Sequence, residues 1–365
     1  MTKGNFAYQE AVKHGAQSAV FLDAVNMRYI TGFAASSGAA VCFDGGVGLL
    51  LDMRYAAAAE TEGGLREEVA VVRCTDPPIT ALKLYLEGKG IKKTLLDSAC
   101  VTVDLLERLK KDIPGVDFVC AANICGEIRK IKDETEIENI KNARSVTDRA
   151  FSHILDFIQS KRNSSARFLI TEREVAAEIE YFMRKNGADG PAFDTIAVSG
   201  LKSALPHGTP GDDILTENAF LTMDFGAKYK GYCFDMTRTV VIGRADGRMK
   251  RIYETVLKAQ SRALAAIRDG ALCRDVDSAA RDYIAFMGYG DNFSHSTGHS
   301  LGLEIHEVPS CSSKSEDVLK AGMLMTVEPG IYIEGFGGVR IEDTVLVTRE
   351  GCENLTLSKK ELIEI

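Results

Sequence analysis

Acidic residues stand in pairs within apolar stretches of the second half of the sequence. Asp224 and Asp235 are separated by a segment typical of a β-hairpin, and apolar residues flank both of them. A turn centred on Tyr229-Lys230 would place the two carboxylates directly opposite each other, with β-carbons about 5 Å apart. Two aspartates in that position repel each other unless a cation lies between them. The first pair therefore predicts a cation-binding site.

A second segment repeats this layout. Glu328 and Glu342 flank a predicted turn centred on Gly335, so these two carboxylates would also face each other between apolar stretches. In both segments a glycine follows the first acid by two residues, which indicates two similar halves that face each other. A single acidic residue in a strand is usually solvated, but two opposed pairs in apolar strands require a counter-charge or a bound metal.

Histidines strengthen the metal hypothesis. Four of the six lie in two short segments, at His207, His295, His299 and His306. Three of them fall within twelve residues and alternate with glycines, as in the loop of a binding site. Four carboxylates with one or two imidazoles suit two divalent ions, for which manganese fits best and cobalt or zinc are alternatives.

The first third of the chain alternates strands and helices, which predicts an α/β domain. The sequence contains no G-x-G-x-x-G after a strand here, so nucleotide binding has no support. The predicted strands are Ser18–Asp23, Val47–Leu51, Ile91–Asp97 and Val116–Val119, and Asp104–Lys111 is a predicted helix.

Long helices follow a predicted domain boundary between residues 126 and 127. Asp133 and Glu136 have the spacing of a capping box, which predicts a helix from Glu134 to about Gln159. Further helices are predicted at Thr171–Asn186 and Lys250–Asp269. The expected domains are therefore residues 1–126 and residues 127–365, and the acidic hairpins lie in the second.

Composition limits the class of protein. The 365 residues suffice for two domains with substantial cores. A net charge of −8 without a basic stripe argues against nucleic acid as a partner. Nine scattered cysteines without a C-x-x-C pair indicate free thiols in a reducing compartment. Because the start lacks a signal-peptide pattern and no apolar run reaches membrane-span length, we expect a cytoplasmic protein without a membrane partner.

These residues lie in motifs that resemble the proline-specific peptidases, aminopeptidase P and prolidase. The motifs are Asp224-x-Gly, Gly231-Tyr-x-x-Asp-x-Thr-Arg-Thr239, Thr297-Gly-His299-x-x-Gly-Leu-Glu-x-His306-Glu, Glu328-Pro-Gly-Ile-Tyr332 and Gly338-Val-Arg-Ile-Glu-Asp343. The segments Asn26–Phe33 and Leu51–Tyr55 are similar to the N-terminal domain of the same family. The resemblance implies an N-terminal creatinase-like α/β domain, a C-terminal pita-bread α+β catalytic domain and a homodimer.

The resemblance also implies roles for the five ligand candidates. Asp224 would chelate one metal ion, and Asp235 and Glu342 would bridge both ions. His299 and Glu328 would complete the coordination of the other ion. All five are present in this sequence.

A water activated by the metal pair would be the nucleophile, with Glu328 as general base. His306 and His207 would stabilise the tetrahedral intermediate through hydrogen bonds. His207, His295, His306 and Arg340 match positions on the substrate side of the family's site. For His295 and Arg340, direct substrate contact and support of the metal-binding carboxylates are equally weighted alternatives.

The expected activity is therefore hydrolysis of the peptide bond between an N-terminal residue and a following proline. The length of the chain and the residues found in these motifs favour an Xaa-Pro aminopeptidase. An Xaa-Pro dipeptidase, or prolidase, is the alternative, and a non-catalytic binding module with the same fold is a distant one. The expected substrates are peptides that contain proline, whose nitrogen carries no hydrogen and whose ring the site must accept.

Overall fold

The computed structural model describes residues 1–61, 64–164 and 169–365. The chain divides into two compact units, Met1–Arg129 and Lys130–Ile365. This division follows the end of the helix Ile124–Arg129, whereas the sequence pattern placed the boundary inside that segment. Among the described residues, no helix combines the length and the apolar character that crossing a bilayer would require.

The first unit is an α/β domain, as expected. Within residues 1–61 and 64–129, the helices are α1 (Lys3–Lys13), α2 (Ala24–Thr31), α3 (Met53–Thr61), α4 (Pro78–Gly88), α5 (Val103–Asp112) and α6 (Ile124–Arg129). The strands are β1 (Ser18–Phe21), β2 (Ala39–Phe43), β3 (Gly46–Asp52), β4 (Val69–Cys74), β5 (Lys93–Asp97) and β6 (Asp117–Ala121). The four predicted strands and the predicted helix are confirmed, whereas β2, β4, α1 to α4 and α6 were not predicted.

One mixed sheet organises this unit, with the strand order β4-β3-β2-β1-β5-β6. The pairs β1–β2 and β2–β3 are antiparallel, and the other pairs are parallel. Successive side chains of a strand point to opposite faces. Leu50 accordingly packs in one apolar cluster while Leu49 and Leu51 pack in another, so the sheet is covered on both faces.

The second unit combines long helices with short antiparallel sheets. Its helices are α7 (Glu134–Ser164), α8 (Glu172–Lys185), α9 (Gly247–Ala266) and α10 (Cys273–Phe286) within the described residues. Its strands are β7 (Gly190–Pro191), β8 (Ile196–Ser199), β9 (Ala219–Asp224), β10 (Ala227–Tyr229), β11 (Tyr232–Cys233), β12 (Thr237–Ile242), β13 (Gly298–Ser300), β14 (Glu307–Cys311), β15 (Leu324–Val327), β16 (Gly330–Ile333), β17 (Gly337–Arg340), β18 (Asp343–Val347) and β19 (Cys352–Asn354). The three predicted helices correspond to α7, α8 and α9, and α10 was not predicted.

The start of α7 has the predicted capping box. The Asp133 N–H donates to the Glu136 carboxylate at 3.0 Å, and the Glu136 N–H donates to the Asp133 carboxylate at 2.9 Å. At the other side of the unit, apolar residues of α9 and α10 form one buried cluster with β15, β17 and β18. This cluster fixes the strands that carry the second acidic pair.

The first acidic hairpin differs from its predicted register. Asp224 pairs with Thr237, so the expected position of Asp224 directly opposite Asp235 is wrong by two residues. The cause is the turn, which is formed by Lys230 and Gly231 with φ of 45° and 78°. A two-residue turn of this kind requires positive φ at both positions, which glycine adopts without steric cost. Shifting the turn centre by one residue shifts the pairing by two.

The second acidic hairpin has the predicted register. The ladder between β15 and β18 and the ladder between β16 and β17 share one pairing register. Glu328 lies between the first strands of these ladders and Glu342 between the second strands, so the two acids fall opposite each other. The predicted turn at Gly335, with φ of 73°, is confirmed.

Candidate metal centre

The ends of several strands bring the five predicted metal ligands together. Asp235, His299 and Glu342 each offer a ligand atom, and these atoms lie within 4.8 Å of one another. The Nε2 atom of His299 lies 3.4 Å from Glu328 Oε1 and 3.6 Å from Asp235 Oδ2. Asp224 lies at the end of β9, and its negative charge helps to raise the pKa of Asp235 after the larger effect of burial.

The ring of His299 is oriented for metal binding by its neighbour in the chain. Its Nδ1 atom lies 3.0 Å from the carbonyl oxygen of Ser300, which can only accept a hydrogen bond. Nδ1 therefore carries the hydrogen, and the lone pair of Nε2 faces the carboxylates. Burial lowers the pKa of His299, which favours the neutral ring that metal coordination requires.

Three carboxylate oxygens in this cluster lack the partner that a buried polar atom needs. Asp224 Oδ1, Asp235 Oδ1 and Glu342 Oε1 are buried and accept no hydrogen bond in the described part of the chain. Such atoms are costly in a protein interior unless a donor or a cation meets them. Three unpartnered oxygens beside one imidazole nitrogen therefore fit a divalent metal, and these five residues could hold it.

The protonation behaviour of the acids reflects their crowding. Burial raises the pKa of Asp235 and of Glu342 well above the ordinary range, and neighbouring carboxylates raise both further. Burial also raises the pKa of Glu328 to about 7, although the positive charge of Arg340 opposes the shift. Without a bound cation the cluster retains protons, because fewer negative charges then repel one another.

The hydroxyl of Thr237 links the cluster to its cationic neighbour. Thr237 Oγ1 donates to Glu342 Oε2 at 2.7 Å and accepts a hydrogen bond from Arg340 Nε at 3.0 Å. The sequence analysis did not assign a role to Thr237. Its position two residues after Asp235 is the signal that would have found it, because both side chains then lie on the same side of the chain.

The hydroxyl of Thr326 links two ligand candidates in the other half of the site. Its hydroxyl donates to Glu328 Oε1 at 3.1 Å and accepts a hydrogen bond from the backbone N–H of His299 at 2.9 Å. One side chain thus fixes two of the ligand candidates relative to each other. Thr326 was also missed, and it precedes Glu328 by two residues.

Arg340 is buried and donates hydrogen bonds in four directions. Its Nη2 atom donates to Asp224 Oδ2 at 2.6 Å, and its Nη1 atom donates to Tyr332 Oη at 2.7 Å and to the Pro206 carbonyl at 3.2 Å. The fourth bond is the one to Thr237. Of the two alternatives for Arg340, these contacts favour support of the metal-binding carboxylates.

His295 continues this network rather than facing the carboxylates. Its Nδ1 atom lies 2.8 Å from the carbonyl oxygen of Ser296, so Nδ1 carries the hydrogen, and Nε2 accepts from the Tyr332 hydroxyl at 2.8 Å. Burial is the main cause that lowers the pKa of His295 to about 4, so the ring is neutral. These contacts again favour the supporting alternative.

His306 and His207 lie on the exposed side of the cluster. The His306 ring packs edge-on against the ring of His299, with 4.6 Å between ring centroids. Burial lowers the pKa of His306, and the neighbouring imidazoles of His299 and His207 lower it further. Both exposed rings are therefore available to a molecule that enters from solvent.

A buried ion pair on α10 holds the loop that leads to His299. Asp277 is fully buried and accepts from the N–H and the hydroxyl of Thr297 at 3.1 and 2.8 Å. Arg281 binds the same carboxylate through two nitrogens and donates to the carbonyls of Phe293 and His295 at 3.0 and 2.7 Å. The only sequence signal was the i,i+4 spacing of Asp277 and Arg281, which is also common on exposed helices.

Family models match both parts of the chain. Residues 138–349 match the model of metallopeptidase family M24, and residues 7–131 match the creatinase/prolidase N-terminal domain. An Xaa-Pro dipeptidase from Pyrococcus furiosus is 40% identical over 342 residues, which are 93% of each chain.

Solved structures include two close matches. An Xaa-Pro dipeptidase from Bacillus anthracis is 38% identical with a TM-score of 0.92, and the match covers 100% of this chain and 99% of that one. An X-Pro aminopeptidase from Thermotoga maritima is 35% identical with a TM-score of 0.89, over 98% of this chain and 100% of that one.

The raised pKa of Glu328 predicts how the metal-free protein responds to pH. Its ordinary pKa is 4.5 and its folded pKa is about 7, so the stability that the neutral carboxyl provides is present below pH 4.5 and is lost as pH rises through 7. We expect the urea midpoint of chelator-treated protein to decline across this interval more than that of Glu328→Gln, which cannot titrate there. Saturating Mn²⁺ should abolish the decline, because metal binds the ionised carboxylates. Identical pH profiles for the two chelated proteins would contradict the assignment.

Removing the negative charge of Asp277 should destabilise the fold. Asp277→Asn would leave the guanidinium of Arg281 without its charged partner, and we expect a loss of about 3 kcal/mol in the free energy of unfolding. Asp275→Asn on the same helix is the control, since that side chain is 67% exposed and should change stability by less than about 0.5 kcal/mol. Urea unfolding measures both variants, and equal losses would show that the burial of Asp277 does not matter.

Proposed function

The chain belongs to metallopeptidase family M24, and we propose that it is an Xaa-Pro dipeptidase that uses two divalent metal ions. The expected fold class is confirmed, with a creatinase/prolidase N-terminal domain followed by the pita-bread α+β domain that contains the candidate metal centre. We retain the domain boundary between residues 126 and 127 as a proposal, close to the structural division after residue 129.

The observation that carries the proposal is the cluster of unpartnered carboxylate oxygens around His299. We assign Asp224 as a ligand of one ion, Asp235 and Glu342 as bridges, and His299 with Glu328 as ligands of the other ion. The short distances among Asp235, His299 and Glu342 support this assignment. Oxygen donors with one imidazole favour manganese, with cobalt and zinc as alternatives.

The charges of the site support two ions rather than one. Four carboxylates and the Arg340 guanidinium together carry a net charge of −3. One divalent ion would leave the site at −1, which opposes the negative charge that develops on a carbonyl oxygen during hydrolysis. Two divalent ions would leave it at +1, which stabilises that charge.

Bound ions would polarise the scissile carbonyl and make water more acidic. Glu328 would accept the proton of the attacking water and deliver it to the leaving proline nitrogen. Its Oε1 atom is fixed by Thr326, so the carboxylate is held in one orientation. His306 and His207, on the exposed side, would donate hydrogen bonds to the negatively charged oxygen.

The comparisons favour the dipeptidase over the aminopeptidase that the sequence first suggested. Both the Pyrococcus furiosus relative and the Bacillus anthracis structure are named Xaa-Pro dipeptidases. Xaa-Pro aminopeptidase activity is the second candidate, because the Thermotoga maritima structure carries that name and matches nearly the whole chain. Peptides with proline in the second position are the proposed substrates in both cases.

Two peptides separate these activities. We expect the Mn²⁺-loaded protein to hydrolyse Gly-Pro and to leave Gly-Pro-Pro intact, because a dipeptidase accepts proline only as the last residue. A chelator should abolish the hydrolysis, and added Mn²⁺ should restore it. Liberation of glycine from Gly-Pro-Pro would support the aminopeptidase instead. If neither peptide is cleaved at any metal concentration, the peptidase proposal fails.

Glu328→Gln tests the general base. The amide cannot accept the proton of water, so we expect kcat on Gly-Pro to fall by about 10³-fold while the circular dichroism spectrum is unchanged. Glu334→Gln is the matched control, since Glu334 is exposed beside the turn at Gly335 and should leave kcat unaltered. Retained turnover in the Glu328 variant would remove it from the base role.

A further inference from the structure

One of the buried carboxylates outside the metal centre, Glu172, lies at the base of the loop that carries His207. Glu172 is the first residue of α8, and its side chain is fully buried. Its Oε1 atom accepts a hydrogen bond from the Ser199 N–H at 2.8 Å. Its Oε2 atom accepts from the Gly211 N–H at 3.0 Å and from Lys202 Nζ at 2.6 Å. One carboxylate therefore contacts both ends of the intervening segment.

The segment between these two N–H groups, residues 200–210, is called the His207 loop below. Ser199 ends β8, which pairs with β9, the strand that ends at Asp224. After the loop, the backbone returns to α8 through hydrogen bonds from Arg173 N–H to the Gly211 carbonyl and from Glu172 N–H to the Asp213 carbonyl, both 3.0 Å. Glu172 thus fastens the loop to a helix and to a strand of the metal-centre sheet.

The His207 loop also contacts β17, the strand that ends at Arg340 beside the metal centre. The carbonyl of Pro206 accepts from Arg340 Nη1 at 3.2 Å, and the Ser203 hydroxyl accepts from the Gly338 N–H at 2.9 Å. The His207 ring itself makes no hydrogen bond with the part of the chain that the structure describes. Its position is therefore set by the backbone of the loop.

We propose that Glu172 is a positioning residue that holds the His207 loop, and through it the substrate-side imidazole of His207, against the metal centre. The proposal rests on the proposed function, in which His207 contacts the reacting peptide. A carboxylate suits the position because it accepts from two N–H groups and one ammonium group at once. A glutamine would offer a single acceptor oxygen and place its NH₂ group against donors, which leaves buried groups unsatisfied.

Hydrogen–deuterium exchange tests the structural half of the proposal without any assay of activity. In Glu172→Gln we expect faster exchange across residues 199–211 and unchanged exchange in β9 and β12. Glu174→Gln is the matched control, because Glu174 lies in the same helical turn and, within the described residues, its side chain accepts hydrogen bonds from the capping residue Thr171 and from no part of the His207 loop. Exchange that matches the wild type across residues 199–211 would overturn the proposal.

A double-mutant cycle with His207→Ala tests the functional half. We expect Glu172→Gln to lower kcat/KM for Gly-Pro by about tenfold, as misplacement of a substrate-contacting group does. In the His207→Ala background the same change should have almost no further effect, and Mn²⁺ affinity should be unchanged in all variants. Effects that multiply in the double variant would show that Glu172 does not act through His207.

Two further outcomes are distinguishable. If the wild type hydrolyses no proline peptide, the proposed function fails while the exchange experiment still decides whether Glu172 holds the loop. If Glu172→Gln does not fold, Glu172→Asp replaces it, since the shorter side chain keeps the charge but withdraws the carboxylate from the Ser199 and Gly211 N–H groups by one methylene. Faster exchange across residues 199–211 in Glu172→Asp supports the proposal, and unchanged exchange overturns it.

Discussion

Four carboxylates that share one buried region of the second unit repel one another, and the stability of that unit depends on how this repulsion is offset. Burial and mutual charge together raise the pKa of Asp235 and Glu342 far above the ordinary range. Among the residues that the structure describes, one permanent positive charge, that of Arg340, forms an ion pair with these acids, through Asp224. The repulsion among these carboxylates therefore lowers the stability of the metal-free fold. A bound cation removes the repulsion, so the stability of the fold is coupled to metal binding.

Hydrogen bonds from neighbouring groups hold the ligand candidates in fixed orientations. Four of the five ligand candidates are held by a neighbour that is not itself a ligand: a threonine hydroxyl for Glu342 and for Glu328, a backbone carbonyl for His299 and a guanidinium for Asp224. Groups that are already oriented need not reorganise when charge develops on a substrate. The short strands suit this purpose, because Asp224 ends β9, Asp235 lies just before β12, and Glu328 and Glu342 lie between consecutive strands.

The chemistry of the site was largely predictable from the sequence, and its exact geometry was not. Residue type and spacing identified the acids, the second hairpin register and the capping box of α7, since these depend on neighbours in the chain. The register of the first hairpin was wrong because both Tyr229-Lys230 and Lys230-Gly231 are plausible turn centres, and only the backbone angles decide between them. Thr237, Thr326 and Asp277 were missed because each has at least one partner that lies about 20 to 105 residues away. Burial, which separates Asp277 from the exposed acids of the same helix, is a property of the whole fold.

The ion pair on α10 has a consequence for how relatives of this protein are recognised. Helix α10 contributes no ligand candidate, yet Asp277 and Arg281 hold the backbone from Phe293 to Thr297 just ahead of His299. The signature motifs contain the ligand residues but no residue of this helix. A relative that keeps every motif residue but replaces this pair would pass a motif search while lacking the support that orients its histidine loop. The residues of α10 therefore provide a criterion for an intact metal centre that is independent of the ligands themselves.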